Sequence, residues 1–95
     1  MNKEVKHDKN QQKFYVEIDG EEAHLEYDVK KDNVLDYYHT YVPNKLGGQG
    51  LGSKIARKAL NYAKNNNYKV IPSCSFIKGF IRKHQEYLHL KEDHS

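Results

Sequence analysis

From Lys13 onward, apolar and polar residues alternate: Phe14, Val16 and Ile18 fall on one face, and Tyr15, Glu17 and Asp19 on the other. Period two predicts a half-buried strand, and Asp19-Gly20 predicts a hairpin turn after it. A second strand carries Leu25, Tyr27 and Val29 against His24, Glu26 and Asp28. After a polar turn over residues 30–33, a third strand over residues 34–42 is rich in β-branched and aromatic side chains. Three strands joined by short polar turns form an antiparallel meander. Residues 1–12 (MNKEVKHDKNQQ) have no such period and read as a flexible lead-in.

Beyond Pro43 the period changes. Leu51, Ile55, Ala59, Tyr62 and Ala63 recur at helical spacing, while Lys54, Arg57, Lys58 and Lys64 fall mainly off that stripe. A helix is therefore predicted from about Gly50 to Asn65, stopped by Asn65-Asn66-Asn67. Residues 68–71 (YKVI) read as a strand halted by Pro72, and Phe76, Ile77, Phe80 and Ile81 mark a second helix ending near Lys83. Tyr87, Leu88 and Leu90 then fall in a largely polar stretch. The third strand, helix and fourth strand make a βαβ unit, whose strands are expected to be parallel with a right-handed crossover. The predicted class is α/β (α+β), with one domain over residues 13–90 and a polar tail over residues 91–95.

Composition narrows this reading. A chain of 95 residues, 37% apolar and 31% charged, has room for one lean core, with eight Tyr and three Phe supplying much of its large apolar surface. The net charge of +3 is a mild imbalance that suits a small polyanionic ligand at least as well as a nucleic acid. Cys74, the single cysteine, excludes an internal disulfide. No apolar run approaches the roughly 20 residues that span a bilayer, and residues 1–12 lack the apolar stretch of a signal peptide. A cytoplasmic protein is expected.

The chemistry concentrates at Leu46-Gly47-Gly48-Gln49-Gly50-Leu51-Gly52-Ser53, between a strand and an amphipathic helix. A helix start leaves backbone N–H groups unpaired and partially positive. Glycines let the chain turn tightly and let phosphate oxygens come close. Such a loop can also be a plain flexible connection, but four glycines in six residues at this junction favour anion binding. A Walker A loop would end in Gly-Lys-Ser/Thr, whereas Gly52 is followed by Ser53. A Rossmann fingerprint would follow the first strand, not the third.

These residues resemble the GNAT acetyltransferase superfamily, in particular its very short members. The resemblance rests on His39-Thr40-Tyr41-Val42-Pro43, Gly48-Gln49-Gly50-Leu51-Gly52-Ser53-Lys54, Val70-Ile71-Pro72-Ser73-Cys74-Ser75-Phe76 and Phe80-Ile81-Arg82-Lys83-His84. It implies a truncated GNAT-like fold: a three-strand meander, a βαβ unit and a C-terminal helix. It also implies acetyl-CoA or CoA as ligand, with the pyrophosphate on Gly48, Gln49, Gly50, Leu51, Gly52 and Ser53. The pantetheine arm would pair with the strand backbone at Tyr41 and Val42, and Lys54 and Arg57 would neutralise phosphates. Gly47 stands where the superfamily loop carries Arg or Gln. Phe80-Ile81-Arg82 stands where a Tyr often serves as general acid, so the usual direct-transfer machinery is incomplete.

Cys74 lies between a strand end and a helix start, where N–H groups stabilise thiolates. The resemblance also places a cysteine here, so acetyl transfer through an S-acetyl intermediate is one reading. A small space-filling residue is the other. His39 shares the face of Tyr41 and is a candidate base toward Cys74 or an incoming amine. His84 is a lesser candidate, and His7, His24, His89 and His94 read as solvent residues; no histidine spacing matches a metal motif. The preferred function is N-acetyl transfer to an unidentified amine, on a small molecule or a protein. The alternatives are a non-catalytic CoA-binding or sensing module, and a nucleic-acid-binding domain suggested by Lys78, Arg82 and Lys83 but opposed by the scattered Asp and Glu. Oligomeric state is left open.

Overall fold

The computed structural model describes residues 4–92. Its sheet has five strands in sequence order: β1 (Lys6–Asp8), β2 (Lys13–Ile18), β3 (Glu21–Lys31), β4 (Val34–Tyr41) and β5 (Lys69–Ile71). The first four run antiparallel to their neighbours, and β5 lies parallel to β4. Helix α1 (Leu51–Asn65) makes the crossover, and helix α2 (Ser75–Lys83) follows β5. This is the mixed α/β architecture that the sequence pattern predicts. No helix among the described residues is long and apolar enough to cross a membrane.

Period two and period 3.6 meet in one core. β2 and β3 turn Phe14, Val16, Leu25 and Tyr27 inward, and α1 lays Leu51, Ile55, Ala56, Ala59, Leu60 and Ala63 against them. Each large apolar side chain buried this way contributes about 1.5–3 kcal/mol. Tyr37 of β4 is fully buried, and its hydroxyl donates to the Ala59 carbonyl at 2.7 Å. Burial pushes that phenol well above the ordinary tyrosine pKa.

Both ends of the chain differ from the sequence expectation. The supposed lead-in contains β1, in register Lys6↔Tyr15, His7↔Phe14 and Asp8↔Lys13, with Val5 buried in the core. Its pattern is hidden because His7 serves as an aromatic core residue, not a solvent one. The ring stacks on Phe14 with centroids 4.0 Å apart, meets Tyr62 edge-on at 4.5 Å and bonds the Tyr27 hydroxyl at 2.7 Å. At the other end a 3₁₀ segment, Gln85–Leu90, buries Tyr87 and Leu90 and leaves Leu88 exposed. Lys91 then bridges Val70 in parallel, and the Glu92 amide donates to the Val70 carbonyl at 2.7 Å. The expected tail thus begins as part of the sheet edge. Residues 1–3 and 93–95, including His94, lie outside the described residues.

The position of His7 makes stability depend on pH. Burial, then the charge of Lys9, holds its imidazole below the ordinary 6.5; Lys58 adds to this and Asp8 opposes it. Below pH 6.5 the unfolded chain takes up a proton that the folded chain resists, so stability falls as pH drops from 6.5 toward the folded pKa. Melting temperatures measured between pH 7.5 and 5.5, values on the order of one unit either side of an ordinary imidazole, should fall with acid. His7→Gln should flatten that slope, and an unchanged slope would show that other groups set it.

Candidate functional site

β4 determines which side chains meet. Its register against β3 runs Val29↔Leu35, Asp28↔Asp36 and Tyr27↔Tyr37, then jumps to Glu26↔His39, leaving Tyr38 as the extra residue of a bulge. Unbroken alternation would have put His39 and Tyr41 on the inward face of Tyr37. The bulge instead turns them outward beside His24, whose ring centroid lies 5.9 Å from that of His39 and 5.6 Å from that of Tyr41. Thr40 turns inward, opposite the buried Leu25.

The other edge of β4 is paired with β5 only through Val34↔Lys69, Leu35↔Val70 and Asp36↔Ile71. Pro72 follows, and the chain leaves the strand direction. The last link is the Cys74 amide, which donates to the Tyr37 carbonyl at 2.9 Å. From Tyr38 to Tyr41 this edge has no strand partner among the described residues. The parallel pair therefore opens, with Cys74 at the point of divergence.

Cys74 caps the start of α2 and is half-buried against the core. Its thiol donates to the Thr40 hydroxyl at 3.2 Å. His39 does not join them. It projects from the opposite face of the sheet, so the expectation that it deprotonates Cys74 is not met. The bulge is the physical reason.

The glycine loop enters α1 through a 3₁₀ turn, Asn44–Leu46, anchored by the buried Leu46. Gly48 and Gly50 adopt φ of +82° and +71°, conformations that favour glycine. The first α1 bond among these residues runs from the Lys54 amide to the Gly50 carbonyl at 3.1 Å. The N–H groups of Leu51, Gly52 and Ser53 are left facing outward, with no side-chain cap and no acidic residue in the first turn. The helix itself supplies no acid to offset its positive end, although Glu4 lines the cavity beside Ser53 and Lys54. Gly52 serves a different purpose: a Cβ there would come within 3.0 Å of the Phe76 ring, so the starts of α1 and α2 pack closely.

Two cavities border this junction. One, about 360 Å³, lies between the helices and is lined by Ser53, Ser75, Phe76, Gly79, Phe80 and Lys83, among others. The second, about 420 Å³, runs along the exposed side of α1 past Ser53, Lys54, Arg57, Lys58 and Asn61. Lys54 is exposed and has no ion-pair partner among the described residues. Arg57 is partly committed elsewhere. It lies 3.7 Å from the Glu86 carboxylate, 3.5 Å from the Tyr87 hydroxyl and 5.5 Å over the Phe80 ring. Gln49 is exposed, Leu51 is in the core, and Val42 packs against the core just beyond β4. Tyr41 is exposed on the outer sheet face, so only its backbone belongs to the opened edge.

Sequence reasoning missed Thr40 as the partner of Cys74 and Phe76 as the cover over Gly52. Thr40 is legible only once the bulge fixes its face. Phe76 differs: an aromatic in the first turn of α2, with a glycine in the first turn of α1, is a signal that could have been read. His84, the lesser candidate, stacks on Phe80 with centroids 4.1 Å apart. Tyr87 is held by the Asn61 side chain at 2.8 Å, away from the opened strands.

A meander, a glycine loop opening a helix, and a parallel pair that diverges beside it define the α/β fold of acetyltransferases. The chain belongs to the GCN5-related N-acetyl-transferase family, whose model matches residues 13–90. It is similar to the solution structure of a GCN5-like protein from Staphylococcus aureus, with TM-score 0.76 and 33% identity, over 99% of this chain and 92% of that one. It also resembles protein NATD1 of Gallus gallus, 27% identical over 82 residues, which span 84% of this chain and 74% of that protein. Human NATD1 is 27% identical over 81 residues, spanning 83% and 72%.

Proposed function

We propose that the protein binds acetyl-CoA and passes the acetyl group to an amine, with Cys74 carrying it in between. One observation carries the reading. The start of α1, with three outward N–H groups and no acid, shares a cavity with the first turn of α2, which Cys74 caps. In this reading the N–H groups of residues 48–53 bind the pyrophosphate, and Lys54 adds a free positive charge. The unpaired edge of β4, including Tyr41, and the adjoining Val42 backbone accept the pantetheine amides. This directs the thioester toward the divergence point at Cys74.

The transfer balances in two steps. The Cys74 thiolate attacks the thioester carbonyl, a bond from its Sγ to the acetyl carbon forms, and the bond to the CoA sulfur breaks. The cysteine proton passes to solvent before the attack, and the CoA thiolate takes up a proton from solvent as it leaves, so CoA departs as the free thiol. An unprotonated amine then attacks the S-acetyl carbon, the bond to Sγ breaks, and the amine proton returns to the cysteine sulfur. Thr40, at 3.2 Å, holds that sulfur in place.

A second reading, a binding module without covalent chemistry, draws support from the packing of Cys74 against the core and its existing hydrogen bond. NMR titration with acetyl-CoA, CoA and ATP tests the shared part. Amide shifts over residues 48–53 are expected with both CoA species, with extension to Thr40 and Tyr41. A response to ATP alone, or to oligonucleotide with steep salt dependence, would defeat the proposal.

A further inference from the structure

The outer face of the sheet holds a cluster that the acetyl-transfer reading does not use. His24 and Glu26 alternate along β3, and the bulge at Tyr38 turns His39 of β4 onto their face, directly paired with Glu26. One donor atom from each of the three lies within 4.8 Å of the others. We propose that His24, Glu26 and His39 form a binding site for a divalent transition-metal ion, zinc being the best match.

Two imidazoles and one carboxylate are donors of the borderline kind that zinc takes. Three protein ligands leave a fourth tetrahedral position open for water or another ligand. His24 and Glu26 sit on one paired strand and His39 on the next, so the backbone fixes their spacing. Zinc bonds of about 2.0–2.2 Å would draw the donors closer, which rotation of the exposed His39 ring can supply without moving a strand.

A supporting group stands behind the ligands. The Nδ1 of His24 lies 3.0 Å from the Glu22 carboxylate, off the line of a good hydrogen bond and with no other partner. Glu22 is itself held by the Lys13 ammonium at 2.9 Å. Metal-bound histidines commonly donate their second ring N–H to a carboxylate, which orients the ring. Here a small rotation of His24 would complete that arrangement. The wider face carries charges of both signs: Lys13 is paired across the strands with Glu26, and the Lys30 ammonium lies 3.9 Å from Asp28. Asp28 and Asp36 are paired across the strands, and one Asp36 oxygen is buried without a hydrogen-bond partner.

This gives His39 a task on the face where the structure puts it. The inference is independent of acetyl-CoA binding, so its test uses zinc alone and the intact chain. Calorimetry with zinc chloride should give one equivalent bound, and NMR of the imidazoles should show His24 and His39 responding together. Glu22→Gln should weaken binding by about 10- to 100-fold, and His39→Ala should weaken it further. Melting curves without metal should show that His39→Ala, at an exposed position, remains folded. Two outcomes overturn the proposal: zinc shifts confined to other histidines, such as His84 or His89, or wild-type affinity in both His39→Ala and Glu26→Gln.

Discussion

Gly50→Val should lose CoA affinity by about a hundredfold or more while the chain stays folded. At φ +71° a β-branched residue is strained, although the space around a Cβ there is open. The strain of a left-handed residue is about 1–2 kcal/mol. In a domain of this size that lowers the melting temperature by roughly 4–16 °C, because each kcal/mol counts for several degrees. The chain can relieve the strain by changing Gly50 to a negative φ, but this re-aims the N–H groups of Leu51, Gly52 and Ser53. Losing two hydrogen bonds to a charged pyrophosphate costs about 3–6 kcal/mol in binding, and each 1.4 kcal/mol is about tenfold. Gly50→Asn provides the control, since Asn tolerates left-handed φ; it should keep most of the affinity. Calorimetric titration with CoA reads both variants. Wild-type affinity in the valine variant would remove the loop from the ligand site.

Incubation with acetyl-CoA should leave an acetyl group on Cys74 that hydroxylamine releases. Cys74→Ser should carry no such adduct and should keep its CoA affinity, because the proposed pyrophosphate site is at the start of α1. Loss of the adduct should bring amine acetylation down to background. Intact-mass spectrometry and a free-CoA release assay read these two effects separately. If no acetylated species forms between neutral and mildly alkaline pH, covalent transfer fails. If Cys74→Ser acetylates amines as well as the wild type, the cysteine is structural and transfer is direct. If no amine is acetylated by either, the binding-module reading takes over.

The two periodicities account for what could be read from the sequence. The α1 stripe of Leu51, Ile55, Ala59 and Ala63 is the buried face of that helix, and the alternation of Phe14, Val16 and Ile18 is the core side of β2. The glycine loop was legible because positive φ at Gly48 and Gly50 demands that residue type. A bulge leaves no such trace. Tyr38 looks like any strand aromatic, yet it reverses the faces of His39, Thr40 and Tyr41, so the partner of Cys74 was misplaced. β1 was illegible because most of its side chains are polar and His7 takes the place of a hydrophobic residue. The Gln85–Leu90 segment was illegible because two core contacts, Tyr87 and Leu90, are too few to set a period. Arg57 reads as a ligand charge in sequence because its partners, Phe80, Glu86 and Tyr87, are distant along the chain.

The order of strands in the sheet bears on how the chain folds. Because β1 to β4 are neighbours in sequence and in space, each of their pairings closes a short loop. Only β5 must wait for residues 42–68 to be drawn together, and closing a longer loop costs more entropy, though slowly with length. Local pairings favour rapid folding and distant ones slow it. We infer that the meander forms ahead of the β4–β5 pair, a hypothesis that substitutions at Val16 and Val70 can test through their separate effects on folding and unfolding rates. Equal slowing of folding by both would reject it. The cleft between β4 and β5 is then the last part of the molecule to be assembled and the first to come apart. A chain with only its meander formed would have one wall of its core, while the wall made by α1 and α2, and the divergence of β4 from β5, would still be missing.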